Sequence, residues 1–147
     1  MRWLVSFGFA ILLGMGLVGA LPAKAEEAAL QGNWTATKAE RDGKPADDLV
    51  GHRLSFTGDR FEIRSYKGET LFAGTARSDA STKPASIDFA LDSGASKGAA
   101  WKGIYQLDGD KLTICDNAPD TRKDRPSAFE ASAASGYVLV IFQRANP

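Results

Sequence analysis

The sequence predicts an all-β protein, an antiparallel up-and-down barrel of about eight strands with a short helical turn between the first two. Three observations carry this. Beyond residue 30, apolar residues recur at alternate positions, the period of a strand with one buried face. Turn residues interrupt them about every 8–12 positions, the spacing of a sandwich or barrel. No long stretch of the same region holds apolar residues at helical spacing. Eight sequential antiparallel strands would leave two bare edges, and closure into a barrel removes both.

The elements follow in order. Residues 33–40 read as the first strand. A polar connection over 42–51 comes next, with one helical turn at 46–50. Residues 52–57 and 60–66 flank Gly58-Asp59 as a hairpin, with Leu54 and Phe56 on one face of the first arm and Phe61 and Ile63 on one face of the second. Residues 70–77 form the next strand, Pro84 ends the break after it, and 85–91 place Ile87, Phe89 and Leu91 together. A small-residue loop over 92–100 leads to a hairpin of 101–107 and 111–115 around Asp108-Gly109-Asp110. A long segment, 116–136, precedes the last strand over 137–143. Connections that long are often functional, and here Phe129 could pin the segment and Arg125 could pair with an acid. The bland reading is a surface segment with one aromatic anchor.

The chain opens on a leader. Arg2 supplies a positive start, residues 3–21 are apolar, and Ala23 and Ala25 sit at the two positions that a signal peptidase reads. Residues 1–25 are therefore expected to be a secretory signal peptide and residues 26–147 one barrel domain, exported to the periplasm or secreted. An uncleaved anchor is the rival reading, since the apolar run nearly reaches membrane-spanning length. No cysteine follows the run to accept a lipid.

Charge excludes some partners. The chain carries 18 basic and 18 acidic residues. Loss of Arg2 and Lys24 with the leader leaves a net charge of about −2, which gives no electrostatic case for nucleic acid or anionic lipid. One cysteine, Cys115, cannot form an internal disulfide, and its setting reads as a half-buried strand position.

The two ends of the barrel strands carry a pair of interest. Trp34 opens the first strand behind Gly32, and Arg144 follows Val138, Val140 and Phe142 on one face of the last. First and last strands are neighbours in a closed barrel, so Arg144 is expected to cap the floor over Trp34. A guanidinium on an indole is worth roughly 0.5–2 kcal/mol by burial. Gly32 would let the chain pass closely beneath, and Gly32, Trp34 and Arg144 together form a structural latch. Strict alternation from Trp34 also carries Ala36, Lys38 and Glu40 inward. Two charges inside a barrel are costly, so a bulge or a strand end is expected after Ala36.

This Gly-x-Trp start with a terminal Arg resembles the signature of the lipocalin and fatty-acid-binding (calycin) superfamily. The stretches LQGNW, AERDGKP, LSFTGDRFEI, KPASIDF, GIYQLDGDKLTIC and RPSAF, in that order from Leu30 to about Arg144, resemble a planctomycete-type family of short exported lipocalin-like domains of unknown function. The resemblance implies a lipocalin-like barrel and no particular activity.

Catalytic patterns are thin. The single histidine, His52, has no nucleophile elbow nearby and reads as a surface position on an early strand. One His and one Cys without ligand spacing do not suggest zinc, and Asp108 with Asp110 fits a turn better than a calcium loop. Asp116 and Asp120 also read as turn residues, with weak metal binding as the minority view. Asp47 and Asp48 are adjacent and so do not face each other as an acid–base pair. The expectation is a non-enzymatic domain with no cofactor and no metal.

Binding is the remaining route, to a small apolar ligand or to a protein partner at the cell envelope. Phe56, Phe61, Ile63, Phe89, Tyr105, Ile114 and Val140 are the candidate ligand-binding residues of the barrel interior. The same inward set would serve a filled core and a structural or interaction module. Tyr105 discriminates best, because a buried hydroxyl needs a partner.

Overall fold

A computed structural model describes residues 21–146. Most of the expected signal peptide, residues 1–20, lies outside the described residues. A short helix α1 (Ala23–Ala29) leads into β1 (Gly32–Arg41), and the expected cleavage point after Ala25 falls within that helix. Asp42-Gly43 turns the chain back into a two-residue strand β2 (Lys44–Pro45), paired with the end of β1 where a plain polar connection was expected. A 3-10 turn, Asp47–Leu49, follows, and then β3 (Arg53–Thr57), β4 (Arg60–Arg64), β5 (Thr70–Asp79), β6 (Ala85–Leu91), β7 (Ala100–Asp108), β8 (Lys111–Asp116) and β9 (Val138–Arg144).

Every neighbour along β1-β3-β4-β5-β6-β7-β8-β9 is antiparallel, and β1 pairs with β9. The sheet is thus a closed eight-stranded up-and-down barrel, with β2 as a flap on β1. The direction of the strands defines two ends. The floor gathers the start of β1, the β3–β4, β5–β6 and β7–β8 connections and the end of β9. The mouth gathers the other connections, including the long one between β8 and β9.

The floor is fastened by Arg144. Its guanidinium carbon lies 4.2 Å from the centre of the Trp34 ring. Its Nη1 and Nη2 donate to the carbonyls of Gln31 (3.0 Å) and Ala29 (2.7 Å), and its Nε donates to Asp110 on the β7–β8 turn (3.0 Å). The indole N–H of fully buried Trp34 donates to the Leu30 carbonyl at 2.9 Å. All five N–H donors of a guanidinium point in one plane, which is why one arginine can stack on a ring and bind two chain segments at its edge. Gly32 has φ +112°, a conformation that side chains rarely adopt, and a Cβ there would meet Arg144 Nη1 at 3.4 Å.

The bulge in β1 resolves the charge problem. The pairing with β9 shifts between Ala36 and Lys38. Before the shift Trp34 and Ala36 lie opposite Arg144 and Phe142; after it Ala39 lies opposite Val140. One extra residue flips the alternation. Ala39 is buried, while Lys38 and Glu40 turn outward and pair with each other on the surface.

The long β8–β9 connection is a strap over the outer faces of β7 and β8. Asn117 extends the ladder: its N–H donates to the Lys102 carbonyl, its Oδ1 accepts from the Lys102 N–H, and its Nδ2 donates to the Lys123 carbonyl. Arg125 reaches Asp88 Oδ1 at 2.6 Å and the Gly103 carbonyl at 2.8 Å. Gly43 N–H donates to the Ala131 carbonyl, which ties the strap to the β1–β2 flap. Beneath it Ile104 and Cys115 are fully buried. Cys115 was expected to be half-buried, but the strap covers its outward face. Burial pushes its thiol up to about 11 and removes it as a nucleophile.

Three substitutions test the latch. Arg144→Ala should destabilise the fold by roughly 1–3 kcal/mol, and Arg144→Lys should recover less than half of that, because an ammonium cannot stack and fork together. Trp34→Ala should cost roughly 3–5 kcal/mol. Urea unfolding of the three variants checks both, and an Arg144→Ala curve that overlays the parent would remove the latch from the account of stability.

Candidate functional site

The interior divides by level. Phe56 and Phe61 pair across the β3–β4 hairpin at the floor side. Phe61 meets Phe89 edge to face at 4.9 Å and Trp101 at 6.0 Å, and Phe89 stands 5.5 Å from Trp101. These rings, edge-on or tilted, form the layer between the floor and the mouth half of the barrel. Tyr105 is also fully buried there, and its hydroxyl has no hydrogen-bond partner among the described residues. Ser78 stands near it without completing a bond. Burial holds the phenol far above its ordinary range, and Glu26, Glu27 and Asp79 add to the effect.

Toward the mouth the barrel is open. A cavity of about 310 Å³ enters between the β4–β5, β6–β7 and β8–β9 connections. Of the sequence-predicted ligand residues, Ile63, Phe89, Ile114 and Val140 line it. Phe56, Phe61 and Tyr105 do not; they belong to the packed floor. Ala36, Ala99 and Ala118 also face the cavity, and their small side chains leave the space that rings occupy below.

Several lining residues escaped the sequence reading, and four of them shape the site most. Trp101 lies two strand steps before Tyr105's neighbour Gly103, so the alternation that marked Tyr105 marks it as well. Phe72 stands at the rim, in edge contact with Trp101 at 5.7 Å. His52 was expected on the outer surface. It lies just before β3, on the chain that turns in over the mouth, and lines the cavity.

The fourth is Asp116. It ends β8, two steps beyond Ile114 on the same inward face, and is only 8 % exposed. Its Oδ1 accepts from the Ala118 N–H at 2.9 Å. Its Oδ2 accepts nothing from the described residues, and no charged side chain lies near enough to move its pKa. Burial therefore dominates and pushes the carboxyl up to about 7, with the Ala118 hydrogen bond opposing weakly. Room for the side chain comes from Gly103 opposite, where a Cβ would stand 2.8 Å from the Asp116 Cβ. Asp120 lies outside and pairs with Arg122 on the surface.

This arrangement can enclose an apolar body and present one carboxyl to its polar end. His52, Ser96, Thr121 and Asp116 all line the cavity, yet no hydrogen bond joins any two of these side chains. Among the described residues no three His, Cys, Asp or Glu side chains converge as a metal site, and no described helix is long and apolar enough to cross a membrane. Comparison of the chain with family models, with curated proteins and with solved structures found no match.

Asp116 makes stability depend on pH. Its folded pKa lies above the usual carboxylate value near 4, so the folded state holds a proton that the unfolded state releases. The associated stability is fully present below about pH 4 and is lost as pH rises through about 7. Asp116→Asn keeps the Ala118 hydrogen bond and cannot ionise. It should be more stable than the parent at pH 8, by on the order of 1–3 kcal/mol, with the gap closing toward pH 4. Thermal melts across that range check this, and parallel curves would show that the carboxyl is solvated.

Proposed function

We propose that this chain is an exported lipocalin-like domain that binds a small apolar ligand in the mouth-end cavity and carries out no chemistry on it. The observation that carries the reading is the cavity itself: about 310 Å³, lined by aromatic and aliphatic side chains with a few polar groups, inside a closed barrel. The floor latch and the eight-strand order support the resemblance to lipocalin-like domains. The leader supports export to the periplasm or beyond. Binding rather than catalysis is favoured because the cavity's hydroxyls, imidazole and carboxyl are not bonded to one another as a nucleophile and its base would be.

Native mass spectrometry of the protein purified from its own cell envelope is the test. A small-molecule mass that is released on denaturation is the expected result. Ala99→Trp, at the exposed rim of the cavity, should reduce the bound fraction by about tenfold with little change in melting temperature. A bare protein mass in both would move the work to the outer surface, and the strap would then be the first place to seek a protein partner.

A further inference from the structure

The polar content of the cavity narrows the chemistry of what it holds, and the argument for this rests on the binding reading above. Among the described residues Asp116 is the only carboxylate in the lining, and no lysine or arginine accompanies it. It is nine-tenths buried, faces the cavity and leaves Oδ2 without a donor. His52, the other titratable group of the lining, makes no ion pair with it. Oδ2 is open to the cavity and has no donor among the described residues, so a ligand that displaces water there must supply one. The walls around it include Trp101, Phe89 and Phe72, whose ring faces attract cations. A carboxylate or phosphate head would meet like charge there with nothing to offset it.

We infer that the cavity takes a small apolar amine, its body among Trp101, Phe89 and Ile114 and its ammonium donating to Asp116 Oδ2. The chain's strap serves the same end. Asn117 and Ala118 fix the backbone on the far side of Asp116, and Gly103 opposite is held through Arg125, so the carboxyl is positioned before the ligand arrives.

Three probes with one chain and three heads test this: n-octylamine, 1-octanol and octanoate, titrated at pH 7.5 by calorimetry into the purified protein. The amine should bind at least about tenfold more tightly than the alcohol, the margin expected of one charge-assisted hydrogen bond, and octanoate should bind most weakly. In Asp116→Asn the amine should lose its advantage while the alcohol keeps its affinity, which also shows that the variant is folded. Octanoate equal to the amine, or an amine preference that survives in Asp116→Asn, overturns the inference and leaves the cavity as a ligand site. Failure of all three to bind overturns the cavity reading and the inference with it.

Discussion

The seam between β1 and β9 is where the two ends of the barrel meet, and Arg144 on Trp34 is its anchor. A barrel has no edges only if its first and last strands stay paired. Here the pairing runs the full length of β9, and at the floor it is locked by one side chain that touches the Trp34 ring, the carbonyls before β1 and the β7–β8 turn. The guanidinium satisfies carbonyls that no strand can reach, because the chain before Gly32 runs outside the ladder. Removing it would uncover a face of the Trp34 ring and leave two carbonyls without their donor together, so the closure, the floor and the approach of α1 all lean on one residue.

A well-sealed floor has a consequence for the mouth. Trp34, Leu54, Phe56, Phe61, Tyr105 and Leu112 are buried together, and this core supplies the burial that a single domain without disulfides needs. The mouth half is then free to be lined by alanines and to stay open. The β1 bulge belongs to the same division. It turns the alternation after Ala36, so that small Ala39 points in and Lys38 and Glu40 remain in water. Without it the cavity would hold a lysine and a glutamate, and an apolar interior would be lost.

Much of this was legible in the chain. Alternation marks which side a residue faces, and it identified the strands, the hairpin turns, the Trp34–Arg144 neighbourhood and the need for a bulge. It does not mark height. Phe56 and Ile63 face the same interior, but the register of the β3–β4 hairpin puts one in the floor and the other beside the cavity. Height depends on register summed around the barrel, which is a property of all the strands together. Asp116 shows a second limit. Its inward position follows from Leu112 and Ile114 by counting, yet a polar residue at a strand end reads as the start of a turn. His52 lies two residues before Leu54, so the same alternation marks it inward, but a lone histidine just ahead of a strand reads as a surface residue.

The buried carboxyl is the point at which local rules and the fold disagree, and such points mark function more often than packing does. A turn residue could have stood at the end of β8 in water, with its charge solvated at no cost. Instead Asn117 pairs with β7, the strap closes over the outer face, and Asp116 is turned into the cavity with half of its acceptors unused. Leu112 and Ile114 need no such device to fill their places. A leucine at 116 would complete the apolar lining and relieve the pH-dependent penalty, so packing alone does not account for the carboxyl, whereas the proposed amine would.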